Sequence, residues 1–261
     1  MKPLFRIWQF LVIAAAASAY AAGVLLNCLF LLPLIYLCGT RKEVRRRMVR
    51  RLISAQFRLF LSFLRFCRIL IVEPAAAPEL GRATLIVANH PSLLDILILI
   101  AHFPEADCLV KKSLWRNPLV APMLISAGYL SNDDAAGFLE SAAERLGAGF
   151  PIVIFPEGTR SPPQGMFPFH RSAASLALRH ACQILPVRLE FSHRVLAKGQ
   201  PIFRFPPCSV RCRLEFRELV ECGDPSPGRS QSLTRQLEVL LSPGSPDGTG
   251  NQRTDRQDPQ P

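Results

Sequence analysis

Acidic residues are nearly absent from the first 72 positions of this 261-residue chain, where Glu43 is the only one. The same stretch holds 12 Lys and Arg, so its net charge of +11 equals that of the whole chain. Residues 73–261 are therefore neutral, with 19 acids and 19 bases. This separation excludes an acidic disordered protein and indicates that the N-terminal part meets an anionic partner.

Charge of either sign is missing between Ile7 and Thr40, a run of 34 residues. A bilayer-spanning helix needs roughly 20 apolar residues and a secretory signal core only about 7–15, so residues 1–40 are predicted to be a hydrophobic membrane segment. One helix of this length would measure about 51 Å, against roughly 30 Å of hydrocarbon core, so it must tilt, project or break. A single helix and a re-entrant hairpin both fit, with candidate breaks at Gly23, Asn27 and Pro33.

The eight cysteines include no C-x-x-C pair, and no nearby histidine completes a zinc site around Cys208 and Cys212. The sequence therefore predicts no metal, and it favours buried, reduced thiols. Ser92 is not part of a G-x-S-x-G nucleophile elbow, so it is expected to have a supporting role only.

Residues 41–72 are predicted to form an amphipathic helix at the membrane interface. The basic run at 41–51 flanks the apolar segment, a position typical of the cytoplasmic side. We expect the apolar face to enter the acyl boundary and the arginines to contact lipid phosphates, which makes the partner membrane lipid and not nucleic acid. A core helix with one solvated face is the alternative. Six arginines fall within an arc of about 100° on a helical wheel: Arg47, Arg50, Arg51, Arg58, Arg65 and Arg68.

Residues 73–222 begin with a Pro/Gly linker at 73–83 and then alternate between strand-like and helix-like segments. Such alternation predicts an α/β fold with a mixed or parallel sheet flanked by helices. A later strand is expected at Ser209–Val220, at an edge of the sheet. Residues 223–261 are predicted to be a polar tail with a short helix at Leu233–Leu241 and disorder from 242. The other predicted strands are Thr84–Ala88, Cys108–Val110, Ile152–Phe155 and Ile184–Val187, and the predicted helices are Ser92–His102, Asn117–Ser126, Ala135–Gly147 (capped by Asp134) and Arg171–Ala181.

The motif NHPSLLD, residues 89–95, follows the first of these strands and opens a helix. Because Pro91 favours an extended His90, the histidine is predicted at the carboxyl end of a strand, where open α/β sheets place their ligands. Asp95 can reach back to a ring nitrogen, which fixes the tautomer and leaves the other nitrogen as a general base. Helix capping and packing alone would be the alternative explanation.

The motif FPEGTRS, residues 155–161, follows another apolar strand. Gly158 permits an unusual backbone conformation in this turn. Arg160 can bind a phosphate bidentately, and Glu157 can accept a hydrogen bond from a substrate hydroxyl or pair with a cation. A surface turn with an ion pair is the alternative.

Together these motifs resemble the first and third sequence blocks of the 1-acylglycerol-3-phosphate (lysophosphatidic acid) acyltransferase family. The second block resembles residues 111–130, KKSLWRNPLVAPMLISAGYL, and the fourth resembles residues 184–187, ILPV, with Pro186 as its marker. Order and spacing agree across roughly residues 84–190, and an N-terminal membrane-docking helix also fits the family.

The resemblance implies a membrane-associated O-acyltransferase. His90 would be the general base that activates an acceptor hydroxyl, with Asp95 orienting it, and the hydroxyl would attack an acyl thioester. CoA or acyl carrier protein would carry that acyl group as a co-substrate, with no cofactor and no metal. The acceptor would be a lysophospholipid such as 1-acylglycerol-3-phosphate. The residues expected to bind substrate are Asn89, Ser92, Lys111, Lys112, Glu157, Gly158, Thr159 and Arg160, with Pro186 on the acyl-donor side.

One departure from the family concerns the end of the second block, where an Arg associated with the acceptor phosphate is common. This sequence has Asp133 and Asp134 there and no Arg. An acceptor other than a glycerophosphate is therefore one alternative, a hydrolase or thioesterase using the same His and Asp is another, and a non-catalytic membrane scaffold is a third. The expected location is the bacterial inner membrane, with the catalytic residues on the cytoplasmic side.

Overall fold

Seven short strands form a single mixed sheet, which confirms the predicted fold class. They are β1 (Leu70–Val72), β2 (Thr84–Ala88), β3 (Asp107–Val110), β4 (Leu130–Ser131), β5 (Ile152–Ile154), β6 (Gln183–Phe191) and β7 (Val210–Phe216). The computed structural model describes residues 2–39, 41–80, 83–131, 135–180, 182–201, 205–223 and 225–243. Asp133, Asp134, Ala181 and the tail beyond 243 lie outside the described residues.

The sheet order is β1-β7-β6-β2-β5-β3-β4. β2, β3, β4, β5 and β6 run parallel, so their carboxyl ends meet at one edge. β7 is antiparallel to β6 and parallel to β1. The prediction of an edge strand near Ser209–Val220 is therefore wrong about its position, because β1 lies outside β7. A strand of three residues directly after a long helix has too short a pattern to be recognised in the sequence.

Helices cover both faces of the sheet. They are α1 (Lys2–Leu26), α2 (Leu32–Leu37), α3 (Lys42–Phe66), α4 (Leu94–His102), α5 (Lys112–Trp115), α6 (Ala121–Ala127), α7 (Ala135–Gly147), α8 (Ser172–His180) and α9 (Arg229–Leu241). Alternate residues of β2 belong to the two faces: Ile86 and Ala88 lie in a buried cluster with residues of α1, α3, α4 and α6, while Leu85 and Val87 lie in a second cluster with residues of α7, α8 and α9. Because both faces are covered, every residue of β2 is buried.

The N-terminal apolar segment stays helical from α1 through α2. A π-helical turn at Asn27–Leu31 joins them, and Leu26 and Leu32 on either side are both right-handed helical. The chain therefore does not reverse at Gly23, Asn27 or Pro33. The stretch Leu4–Leu37, with a mean hydropathy of 2.0, is long and apolar enough to cross a membrane.

The reversal comes after α2, and α3 packs back along α1 as an antiparallel partner. Tyr20 stacks on Phe57 with ring centroids 5.9 Å apart, and Asn27 donates from Nδ2 to Gln56 Oε1 at 3.0 Å. We call this pair of helices, residues 2–66, the N-terminal hairpin.

The N-terminal hairpin lies against the rest of the protein along the length of its first helix. Gln9 Nε2 donates to the Pro206 carbonyl at 2.8 Å, and Tyr36 Oη lies 3.3 Å from Ser126 Oγ. These two contacts are about 40 Å apart along the helix axis at 1.5 Å per residue. The apolar helix therefore runs beside the α/β body and does not project away from it.

Arg50 does not face lipid, so the expectation that all six arginines contact phosphates is wrong for this residue. Its side chain is fully buried and donates from Nη2 to Asp107 Oδ1 at 2.6 Å and from Nε to the Ala127 carbonyl at 2.9 Å. Arg51 and Arg47 contact Glu105 at 2.8 Å and 3.6 Å. The first half of the arginine stripe therefore holds α3 against acids of the body, where an unpaired Asp107 would be costly.

Candidate active site

Two of the sequence motifs meet where neighbouring parallel strands end. β2 leads directly into NHPSLLD, and β5, which pairs with it, leads into FPEGTRS. Lys111 follows β3, the next strand in the sheet. We call this place, formed by residues 89–95 and 155–161, the active-site edge.

His90 and Asp95 are in hydrogen-bond contact, as the motif predicted. His90 Nδ1 lies 2.9 Å from Asp95 Oδ2, and the same oxygen accepts a bond from the Ser92 backbone N–H at 2.8 Å. The helix starts at Leu94 and not at Ser92, because Ser92 precedes its first turn: its Oγ accepts from Leu94 N and donates to the Val195 carbonyl. This turn brings a carboxylate five positions away back onto the imidazole.

Asp95 has no exposed surface, and its Oδ1 has no hydrogen-bond partner among the described residues. Burial raises the pKa of Asp95 from 3.8 to about 6, while the bonds from His90 and Ser92 oppose that shift. A carboxylate at Asp95 accepts a hydrogen bond from His90 Nδ1–H, and in that tautomer Nε2 is the ring nitrogen that can accept a proton.

The His90 ring also stacks on Phe155, a contact that the motif analysis missed. The ring centroids are 4.1 Å apart and the planes differ by 16°. Phe155 follows β5 directly, and β5 pairs with the strand that precedes His90. An aromatic residue at the end of each motif strand was the available signal, but the strand pairing could not be derived from either motif alone.

Glu157 points into the protein and not toward the space where an acceptor would bind. It is 3% exposed. Its Oε1 accepts from the His90 backbone N–H at 3.0 Å and from Ser161 Oγ, and its Oε2 accepts from Phe167 N at 2.9 Å. The expected contact with a substrate hydroxyl is therefore corrected: both oxygens are already bonded, and Glu157 fixes the backbone that carries His90.

Other residues of FPEGTRS add hydrogen bonds that fix this motif in the site. Ser161, which the site prediction did not include, donates from its backbone N–H to the His90 carbonyl at 2.7 Å. Gly158 has a φ of +65°, so it is the position in this turn that favours glycine. Arg160 is half-buried and donates from Nη1 to the Leu196 carbonyl at 2.6 Å. Thr159 beside it is half-buried as well.

Of the remaining predicted site residues, two lie in or beside the sheet and two lie on the surface. Asn89 exchanges two hydrogen bonds with the backbone of Leu189, at 2.9 Å and 2.8 Å, and so extends the pairing of β2 with β6. Pro186 is buried within β6 opposite Val87, and its place on the acyl-donor side stays a prediction. Lys111 and Lys112 are exposed after the end of β3.

A cavity of about 300 Å³ opens beside the active-site edge. We call it the edge cavity. Its lining includes Asn89, Pro91, Ser92, Ser161, Arg194 and Val195. Within the described parts of the chain, no three His, Cys, Asp or Glu side chains gather into a group that could hold a metal ion. What the edge offers chemically is an imidazole oriented by a buried carboxylate, with a cavity that begins at the neighbouring residues Asn89 and Pro91.

Comparison with known proteins identifies the class of this protein as an acyltransferase. Residues 68–190 match the family model described as Acyltransferase, and this range contains both motifs. The chain is also similar to the crystal structure of the 1-acyl-sn-glycerophosphate (LPA) acyltransferase PlsC from Thermotoga maritima. The TM-score is 0.69 at 22% identity, over 92% of this chain and 95% of that one, which is a likeness of fold.

Sequence relatives narrow the class further. The chain is 38% identical over 166 residues to the 1-acyl-sn-glycerol-3-phosphate acyltransferase of Helicobacter pylori, covering 60% of this chain and 67% of that protein. It is 31% identical over 157 residues to a probable enzyme of the same name from Mycoplasma pneumoniae, covering 56% of each. The chain spans between about half and two thirds of these relatives. It belongs to the 1-acyl-sn-glycerol-3-phosphate acyltransferase family.

Proposed function

We propose that this protein transfers a fatty acyl group from an acyl thioester, carried by CoA or acyl carrier protein, to a hydroxyl of 1-acylglycerol-3-phosphate or a related lysophospholipid. The observation that supports this most directly is the contact between His90 Nδ1 and Asp95 at the active-site edge. That contact orients the ring so that Nε2 can act as a general base on a hydroxyl. The family relationship is the reason for proposing acyl transfer and not hydrolysis.

In the proposed mechanism His90 Nε2 removes the proton of the acceptor hydroxyl as the oxygen attacks the thioester carbonyl. A tetrahedral intermediate forms, the C–S bond breaks, and the sulfur leaves as a thiol with the proton that His90 returns. Asp95 stabilises the imidazolium between the two proton transfers. Glu157 acts as a positioning residue, because it holds the His90 backbone and not the substrate.

For the acceptor phosphate we propose Arg160 and Lys111 as partners. Arg160 is anchored through one nitrogen to the Leu196 carbonyl, and its other donors can meet a phosphate at the same edge. Lys111 is exposed at the end of β3 and adds a second positive charge. A phosphate monoester would thereby be neutralised beside the base.

We further propose that the N-terminal hairpin docks the enzyme on the cytoplasmic face of a bacterial inner membrane. Its outer surface is apolar, with Leu59 at 72% and Phe66 at 85% exposed on α3 and Leu26 at 55% on α1. Because α1 lies along the body, the hairpin fits immersion in one leaflet better than a perpendicular span. The acceptor lipid would then reach the active-site edge from the same leaflet.

The transfer reaction is tested by measuring thiol release from palmitoyl-CoA with and without 1-acylglycerol-3-phosphate. We expect release to require the acceptor and to equal the phosphatidic acid formed, as quantified by mass spectrometry. A 1-acyl-2-deoxyglycerol-3-phosphate, which lacks the accepting hydroxyl, is the matched control and should give no release. Thiol release that is independent of acceptor would identify a hydrolase instead.

Membrane docking predicts that the triple substitution Leu59→Ser, Phe63→Ser and Phe66→Ser lowers recovery with phosphatidylglycerol vesicles in a flotation assay. Each of these side chains is exposed on α3, and burial of such groups in lipid is worth on the order of 1 kcal/mol or more each. We expect at least a tenfold weaker partition. Val239→Ser, at an equally exposed apolar position on α9, is the control and should float like the wild type. Unchanged flotation of the triple variant would contradict docking through this surface.

A further inference from the structure

A second, larger cleft lies where the start of the N-terminal hairpin meets the loop between β6 and β7. Its volume is about 690 Å³. We call it the basic cleft. Its lining includes Arg6, Gln9, Arg194, Gln200, Phe205 and Pro206. Neither sequence motif includes any of these residues, and the proposed mechanism does not use them.

The charge of the basic cleft is uncompensated. Arg6 and Arg194 are both exposed, and the described residues that line the cleft include no acid. Within the described ranges neither guanidinium lies in an ion pair with a carboxylate, in contrast to Arg47, Arg50 and Arg51 on α3. Two guanidinium groups that share a cleft without an acid favour an anion with several acceptor oxygens, and a phosphate fits that requirement.

Gln9 ties the two parts of the chain that carry these arginines to each other. Its side chain is 3% exposed, and its bond to the Pro206 carbonyl ties α1 to the loop that follows β6. Arg6 lies three residues before Gln9, so it is on the same side of the helix. A half-buried hydrogen bond thus joins two walls of the cleft that are far apart in sequence.

Arg194 lines both the basic cleft and the edge cavity, so the two spaces are neighbours. The edge cavity in turn reaches Asn89 and Pro91, the residues on either side of His90. A ligand that extends through both would place one end beside the chain segment that carries His90 and an anionic end between two arginines. An acyl thioester of phosphopantetheine has this form, with the reactive carbonyl at one end of a slender arm and a phosphate at the other.

We propose that the basic cleft binds the phosphate at the end of the donor's phosphopantetheine arm, with the arm in the edge cavity and the thioester at His90. This inference rests on the proposed acyl transfer. Arg6 and Arg194 hold the phosphate, which CoA and acyl carrier protein have in common. The N-terminal hairpin thereby contributes a residue to donor binding in addition to its membrane surface.

The experiment compares Arg6→Gln and Arg194→Gln with the wild type on palmitoyl-CoA, palmitoyl-phosphopantetheine and palmitoyl-pantetheine, which lacks the phosphate. We expect the KM for the first two donors to rise about tenfold for each substitution, with kcat and the KM for the acceptor unchanged. On palmitoyl-pantetheine both variants should match the wild type. Arg179→Gln, an exposed arginine on α8 at the opposite face of the sheet, is the matched control.

Other outcomes would overturn the assignment in distinguishable ways. A rise in the acceptor KM would identify the cleft as an acceptor site, and lost flotation with vesicles would identify a lipid headgroup site. If the variants also had a raised KM for palmitoyl-pantetheine, the arginines would not contact the phosphate of the arm. The same conclusion would follow if the KM rose for palmitoyl-CoA but not for palmitoyl-phosphopantetheine. Isothermal titration calorimetry that compares the binding of phosphopantetheine with that of pantetheine tests the phosphate contact without turnover. If the wild type did not transfer acyl groups, this measurement would still show whether the basic cleft binds the phosphate.

Discussion

His90→Ala is expected to lower kcat/KM for acyl transfer by about a thousandfold or more, while folding and vesicle flotation stay unchanged. A positioned general base contributes roughly 10²–10⁴-fold, and the loss of the ring also removes the group that returns the proton to the leaving sulfur. The side chain lies at the rim of the body and is 17% exposed, so its removal leaves no enclosed cavity. Steady-state kinetics with palmitoyl-CoA and a thermal melt measure the two effects separately.

Two companion variants make this result specific. His90→Gln keeps a polar planar group against Phe155, so equal inactivity in both variants assigns the loss to proton transfer and not to stacking. His102→Ala removes the other histidine of this segment, at the far end of α4, where Nδ1 contacts the Ile98 carbonyl at 2.8 Å. We expect it to retain activity. Near wild-type turnover of His90→Ala would refute the assignment of the base.

The contact between His90 and Asp95 was predictable because it is carried by a short motif that follows a strand. NHPSLLD alone places His90 at a strand end and Asp95 one turn into a helix, and the observed contact between Nδ1 and Oδ2 follows from that. The strand β2 was equally predictable, because Thr84–Ala88 is a run of apolar residues with no helical period. The local sequence pattern is sufficient to predict both the contact and the strand.

Contacts between distant segments were not predictable in the same way. A stripe of arginines on an apolar helix looks the same whether it faces lipid phosphates or acids of the same protein. Only the packing of α3 against the body shows that Arg50 meets Asp107, 57 positions away. For the same reason Glu157 resembled a substrate contact in the sequence, although it bonds to the backbone of His90, 67 positions away.

These long-range contacts have a shared consequence for the site. Glu157 and Ser161 bind the backbone of His90 from one side, and the Ser92 hydroxyl binds the Val195 carbonyl from the other. The imidazole is thus held by three segments of chain whose own positions are set by β2, β5 and β6. A base with fixed geometry can act without reorganisation of the protein during the reaction.

The same geometry has a cost in stability, which is located at Asp95. Its pKa in the folded protein is about 6 because of burial, against 3.8 for the free side chain. Between these two values the folded state binds more protons than the unfolded state, so the free energy of unfolding decreases as the pH rises from about 4 to 6. Above that window the full cost of the buried carboxylate is present, on the order of 1–3 kcal/mol.

Asp95→Asn is therefore expected to stabilise the protein and to inactivate it. The asparagine Oδ1 can keep the bonds from Ser92 N and His90 Nδ1, and its uncharged Nδ2 takes the place of the oxygen that has no partner. We expect the variant to unfold at higher denaturant concentration at pH 7.5, with a difference that vanishes near pH 4. Activity should decrease by about 10²–10⁴-fold, because an amide cannot stabilise the imidazolium as a carboxylate does.

Parallel denaturation curves at pH 4.5 and 7.5, together with kcat at pH 7.5, distinguish this account from simple damage to the structure. Ser92→Ala is the control, because it breaks the bond to the Val195 carbonyl and leaves the carboxylate in place. We expect it to destabilise the protein by a similar amount at both pH values. If Asp95→Asn were destabilised at pH 7.5, or if its effect did not depend on pH, then the buried carboxylate would not be the source of the cost. A stable, inactive Asp95→Asn would show that the protein keeps a destabilising charge because His90 needs it.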